Sequence, residues 1–163
     1  MRGGQARLEA GQPDTRAGRQ PGRRVLGARE ILLVAMGGAI GSVARYLTGL
    51  AFPPPAAGFP WPTFTVNVSG CLVLGFLLVY LLDVWPPRPG LRLFLTTGLL
   101  GGYTTFSGYA AGIAHLLDGR AFALADAYAL TSLLAGLVAV WSGVTLARRT
   151  ASLHRANRKA ARS

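Results

Sequence analysis

Apolar and polar positions alternate on a long period in this chain. Four apolar runs, Ile31–Phe52, Thr63–Leu82, Leu93–Leu117 and Ala121–Ala147, are separated by short polar links. Each has the roughly 20 residues that a helix needs to cross about 30 Å of hydrocarbon. The runs are apolar nearly all round and show no stripe that would face a soluble core. This pattern predicts an all-α membrane protein with four transmembrane helices. The first 29 residues, rich in Gly, Arg, Gln and Pro, read as a disordered basic tail. They carry no apolar stretch of the kind a cleavable leader needs. Positions 30–147 form the membrane domain, and 148–163 a second basic tail.

Within the runs, small and polar residues fall at helical spacing. Gly37 and Gly41 stand four apart on the first span, which suits close helix packing. Thr63, Asn67 and Gly70 share roughly one face of the second, and Tyr128, Ser132 and Gly136 one face of the fourth. Arg45 lies inside the apolar register of span one. The third run departs most from a lipid-facing helix: "GGYTTFSGY" (101–109) crowds glycines, hydroxyls and rings together. One reading is a helix break at mid-depth, with Gly101-Gly102 free to leave helical geometry, β-branched Thr104-Thr105 doing little to restore it, and the break exposing carbonyls for a cation or N–H groups for an anion. The other is a glycine-rich helix packed tightly on its neighbours, its hydroxyls bonded to preceding carbonyls.

Composition agrees with the membrane reading, with 51% hydrophobic residues. The net charge of +11 would by itself suggest nucleic-acid binding, but its distribution does not. Seven arginines lie in the N-terminal tail, two in the 83–92 loop and six basic residues after Ala147, all on one side of a four-span topology; the opposite loops hold Arg120 alone. Such asymmetry places both termini in the cytoplasm and the basic residues against lipid headgroups, with no nucleic acid involved. Cys71 is the only cysteine, a small packing residue. No soluble-enzyme motif is present. No span carries a mid-depth carboxylate, which argues against a proton-coupled exporter.

Three segments in order, "GGAIGSVARY" (37–46), "PTFTVNVSGCLVLGF" (62–76) and "GLLGGYTTFSGY" (98–109), resemble the Fluc/CrcB family of small fluoride channels, and the resemblance spans about residues 31–147. It implies passive export of fluoride across a bacterial cell membrane by a non-enzymatic protein. The implied architecture is an antiparallel dimer with two pores along its interface. A third helix broken at mid-membrane would hold a structural sodium ion on the carbonyls of Gly101 and Thr104. The anion path would take Asn67, Phe106, Tyr109, Tyr128 and Ser132, with Thr105 and Ser107 in a central hydroxyl cluster and Arg45 near the vestibule. Gly108 and Tyr109 stand where the family usually has Thr and Phe, Pro62 where it commonly has Gly, and Gly136 where it has a hydroxyl. The one-sided charge suggests a subunit of fixed orientation that pairs with an inverted paralogue. The alternatives are a small four-helix drug or metabolite exporter and a non-conducting partner subunit of a heterodimeric channel.

Overall fold

The computed structural model describes residues 27–53 and 58–160, with side chains to Ser152 in the last helix. The N-terminal tail up to position 26, the link residues 54–57, Arg162 and the side chains of Arg155, Arg158 and Lys159 lie outside the described residues. Helix α1 is Ala28–Ala51. Helix α2, Trp61–Val79, continues through a π-helical turn, Tyr80–Val84. Next come α3, Pro89–Arg92, a π-helical stretch at Leu93–Leu100, and α4, Gly101–Tyr103. The chain then leaves helical geometry at Thr104 and Thr105 and resumes as α5, Phe106–Asp118. Helix α6 is Phe122–Ala160. Among the described residues there is no strand.

Three helices are long and apolar enough to cross a membrane: Ala28–Ala51, Trp61–Val84 and Phe122–Ser152. The segment between Pro89 and Asp118 is divided, and α5 alone, at 13 residues, would span only about 20 Å. Helix α6 runs on past Ala147, where the apolar run ends, through Arg148 and Arg149. Its 39 residues reach about 58 Å at the usual helical rise, nearly twice the hydrocarbon thickness.

Helix α1 packs on the π-helical stretch and α4, α2 packs on α6, and α5 packs on α6. Glycine makes these approaches possible. A Cβ at Gly41 would collide with the Leu99 carbonyl, one at Gly102 with the Gly38 carbonyl, and one at Gly98 would come within 2.8 Å of the Val34 carbonyl. The α2–α6 contact is built the same way, with Gly75 against the Val140 carbonyl and Gly143 against that of Leu72. With no hydrophobic drive between helices in lipid, backbone contact at small residues supplies the association energy. Large apolar side chains point outward instead: Leu130, Leu134, Leu137 and Trp141 on α6 are all at least 60% exposed.

Within the broken stretch the extended backbone falls at the threonine pair and not at the glycine pair. Gly101 is helical, with φ −62° and ψ −35°, and Gly102 serves the close approach to α1. The extended residues are Thr104 (φ −78°, ψ 158°) and Thr105 (φ −147°, ψ 114°). Both are β-branched and fit extended backbone better than glycine does. Pro62 sits in the first turn of α2, where a missing N–H is harmless.

Substituting Gly75→Val or Gly143→Val is expected to lower stability by about 1–3 kcal/mol each, as forced overpacking does. Gly49→Ala, where nothing lies within 4 Å of the added atom, is expected to be neutral or stabilising by up to about 1 kcal/mol. Thermal midpoints of the three purified variants in detergent check this; equal shifts would contradict the packing account.

Candidate functional site: a groove over the broken helix

Two side chains divert the backbone N–H groups that would otherwise continue the helix through Thr104 and Thr105. The Thr105 N–H, due to the Gly101 carbonyl in an unbroken helix, donates instead to Asn67 Oδ1 at 2.8 Å. The Asn67 amide returns a bond from Nδ2 to the Thr105 carbonyl at 3.0 Å. Asn67 thus pairs with one residue through both amide atoms, as a neighbouring strand would. The Gly108 N–H, due to the Thr104 carbonyl, is taken by Thr105 Oγ1 at 2.9 Å, which caps α5. Gly101 and Thr104 therefore lose their helical donors together. Thr104's carbonyl accepts instead from Arg45 Nη1 of α1 at 3.3 Å.

Above the break, α2, the broken segment, α5 and α6 enclose an open groove of about 550 Å³. Asn67, Thr104, Thr105, Phe106, Tyr109 and Ser132 line it, with Gly101 at its edge. Of the other site residues expected from sequence, Ser107 is exposed on the first turn of α5, its hydroxyl 3.1 Å from that of Thr105. Tyr128 is fully buried and does not line the groove, packing instead against the Tyr109 ring. Arg45 reaches the break from the α1 side and does not line the groove.

Aromatic rings connect the groove to one end of the bundle. Phe106 and Tyr109 have centroids 5.8 Å apart, Tyr109 and Tyr128 5.5 Å, and Tyr128 and Phe59 5.2 Å with planes at 89°. Phe106 is 80% exposed. The Tyr109 hydroxyl turns away from the groove and donates to the Ala129 carbonyl of α6 at 3.3 Å. Its ring therefore offers the edge that a phenylalanine would. At Gly108 a Cβ would come within 2.8 Å of Thr105 Cγ2, so the absent side chain leaves room for the Thr105 cap. At Gly136 it would make an ordinary contact with Cys71 Sγ.

The donor inventory is uneven. The hydroxyls of Tyr128 and Ser132 are buried without a partner in good hydrogen-bond geometry, although the Thr63 and Ser132 side chains lie close to the Tyr128 hydroxyl. Thr105 and Ser107 share one O–H···O bond, which uses one proton of their two. The Asn67 amide has a second N–H beyond the one given to Thr105. Every one of these donors is neutral. Among the described residues no cluster of His, Cys, Asp or Glu could hold a metal ion.

Sequence reasoning did not find Phe59, Tyr103 or Ser69. Phe59 seals Tyr128 from a proline-rich link, and its signal was an aromatic residue in a charge-free loop. Tyr103 ties α4 to α2 through a 2.9 Å hydroxyl contact with Ser69, a pair 34 residues apart with no local signature.

A family model described as "CrcB-like protein, Camphor Resistance (CrcB)" matches residues 32–144, a span that contains the whole groove. The chain is 51% identical over 88 residues to "Fluoride-specific ion channel FluC 2" of Streptomyces avermitilis, covering 54% of this chain and 56% of that protein. It is 46% identical over 120 residues to "Fluoride-specific ion channel FluC 1" of Streptomyces coelicolor, covering 73% and 77%. To "Fluoride-specific ion channel FluC" of Rhodospirillum centenum it is 43% identical over 119 residues, covering 72% and 94%. The chain thus matches little more than half the length of the S. avermitilis relative and nearly all of the R. centenum one.

Replacing Asn67→Leu keeps the side-chain shape and strands the Thr105 N–H and carbonyl. The expected cost is about 2–4 kcal/mol, two backbone groups losing their partners at once, with faster amide exchange at Thr105. Unchanged exchange there would mean that Asn67 does not hold the break open.

Proposed function

The chain belongs to the CrcB-like family, and from that premise we propose that it is a passive, fluoride-selective ion channel that lets cytoplasmic fluoride leave the cell. The observation that carries this reading is the pair of buried hydroxyls, Tyr128 and Ser132, that no neighbour meets in good hydrogen-bond geometry, next to a groove whose other donors are also neutral. A buried hydroxyl without a partner is costly unless something else meets it. Fluoride is small and strongly hydrated, so its path must replace water with hydrogen-bond donors. The hydroxyls and the spare Asn67 N–H can do this, while the Phe106 and Tyr109 rings can present edges of partial positive charge. Uncharged donors bind loosely enough for the ion to move on.

The groove is open along one side, and Phe106 stands bare at its rim. We take four crossings per subunit, the broken segment being the third, and an antiparallel partner that closes the groove into a pore. The carbonyls of Gly101 and Thr104, freed from their helical donors, would then hold the structural sodium ion near the dimer centre. That ion would supply positive charge between two anion paths. The one-sided distribution of basic residues favours cytoplasmic termini and a paralogous partner of inverted orientation. A drug exporter would need a carboxylate to exchange protons, and none lines the groove. The Tyr109 hydroxyl, one of the departures that a non-conducting subunit would carry, is bonded to α6.

Purified protein in liposomes, with a fluoride electrode and the membrane potential shunted by an ionophore, is expected to release fluoride and retain chloride. Release only after adding an inverted paralogue would identify a heterodimer; none in either case would remove the channel assignment. Tyr128→Phe and Ser132→Ala are each expected to lower fluoride efflux about tenfold or more while leaving the thermal midpoint nearly unchanged, since the deleted hydroxyls make no well-formed hydrogen bond within the protein. Loss of stability with normal efflux would make them structural groups.

A further inference from the structure

Arg45 and the cation of the proposed dimer are directed to one atom. Arg45 comes from the last third of α1, is half-buried, and donates from Nη1 to the Thr104 carbonyl oxygen at 3.3 Å. That oxygen is available because Thr105 Oγ1 has taken the Gly108 N–H. The neighbouring Gly101 carbonyl is free because Asn67 Oδ1 has taken the Thr105 N–H. Both carbonyls lie at the C-terminal end of the helical run that begins at Pro89, where the aligned peptide dipoles leave negative charge. A guanidinium is always charged, so it already compensates part of that charge within one subunit.

We propose that Arg45 contests the Thr104 carbonyl with the bound cation and thereby sets how tightly this protein holds that cation. The inference rests on the preceding reading that a sodium ion occupies the Gly101 and Thr104 carbonyls. A carbonyl oxygen has two lone pairs, so the ion need not expel the guanidinium. An ion on that oxygen would nevertheless put two unit charges within about 6 Å of each other, given the 3.3 Å bond from Nη1. Their repulsion weakens the ion's binding by roughly threefold if water screens it fully and by roughly a hundredfold in a protein-like environment. Arg45 thus keeps the break satisfied before assembly and makes the cation exchangeable after it.

The test is the sodium dependence of the thermal midpoint of the full-length protein in detergent, with N-methylglucamine holding ionic strength constant. Arg45→Gln, which keeps hydrogen-bond donors and loses the charge, is expected to lower the half-saturating sodium concentration about tenfold. Arg45→Lys, which retains the charge on a more hydrated, non-forked group, is expected to lower it about two- to threefold. Sodium dependence in the unmodified protein that Arg45→Gln leaves unchanged, or moves to higher sodium, overturns the competition and leaves the cation reading standing. Equal shifts in both variants also overturn it, because charge would then not be the cause. If Arg45→Gln does not fold, Arg45→Lys decides alone: a half-saturation equal to or above that of the unmodified protein overturns the inference. No sodium dependence in the unmodified protein removes the cation reading itself.

Discussion

Backbone amides and carbonyls that meet no water must be paired within the protein, and the two residues at Thr104 and Thr105 test that rule most severely. Their solution is local and exact in its accounting. One side-chain amide, Asn67, supplies both partners for Thr105. One hydroxyl, Thr105 Oγ1, caps the next helix. One guanidinium, Arg45, meets the Thr104 carbonyl. Without these three the segment would close back into helix or leave polar groups stranded. The groove, the exposed Phe106 ring and the Gly101 carbonyl without its helical donor all follow from the break being held open.

The rest of the bundle serves to bring those three side chains to the same place. Arg45 arrives because α1 lies against the helical run before the break, at a separation that glycines at 37, 41, 98 and 102 allow. Asn67 arrives on α2, which is locked to α6 through Gly75 and Gly143. That same α2–α6 contact sets Ser132 across the groove from Asn67. Packing by small residues and polar bridging of the break are therefore one design in this chain. Bulk added at a glycine far from the groove would be felt at Thr105.

The long apolar helices were legible from sequence because length and composition alone set them. So were most groove residues, since Asn67, Ser132 and the 104–109 cluster are polar or aromatic groups at helical spacing within apolar runs. The exact position of the break was not. Gly101-Gly102 has the composition of a breaker, yet Gly102 is occupied with close contact to Gly38 and the threonines bend the chain. What decides between them is a partner 38 residues away, which no local propensity encodes. The π-helical stretch at Leu93–Leu100 and the extension of α6 beyond its apolar run were not legible either. The direction of the Tyr109 hydroxyl depends on α6 passing beside it, so its identity as a departure from Phe could be read from sequence and its consequence could not.

Phe106 carries a consequence for how such a protein can change over time. The ring is bare in the single subunit and stands where the groove opens, so whatever covers it also completes the walls of the proposed path. A substitution that retuned the passage of an ion there would retune the attachment of the partner in the same step. Variation is then easier at sites that touch neither, such as the Tyr109 hydroxyl bonded to α6 or Gly136, where an added side chain would meet Cys71. Those are two of the positions at which the sequence departs from the pattern it resembles.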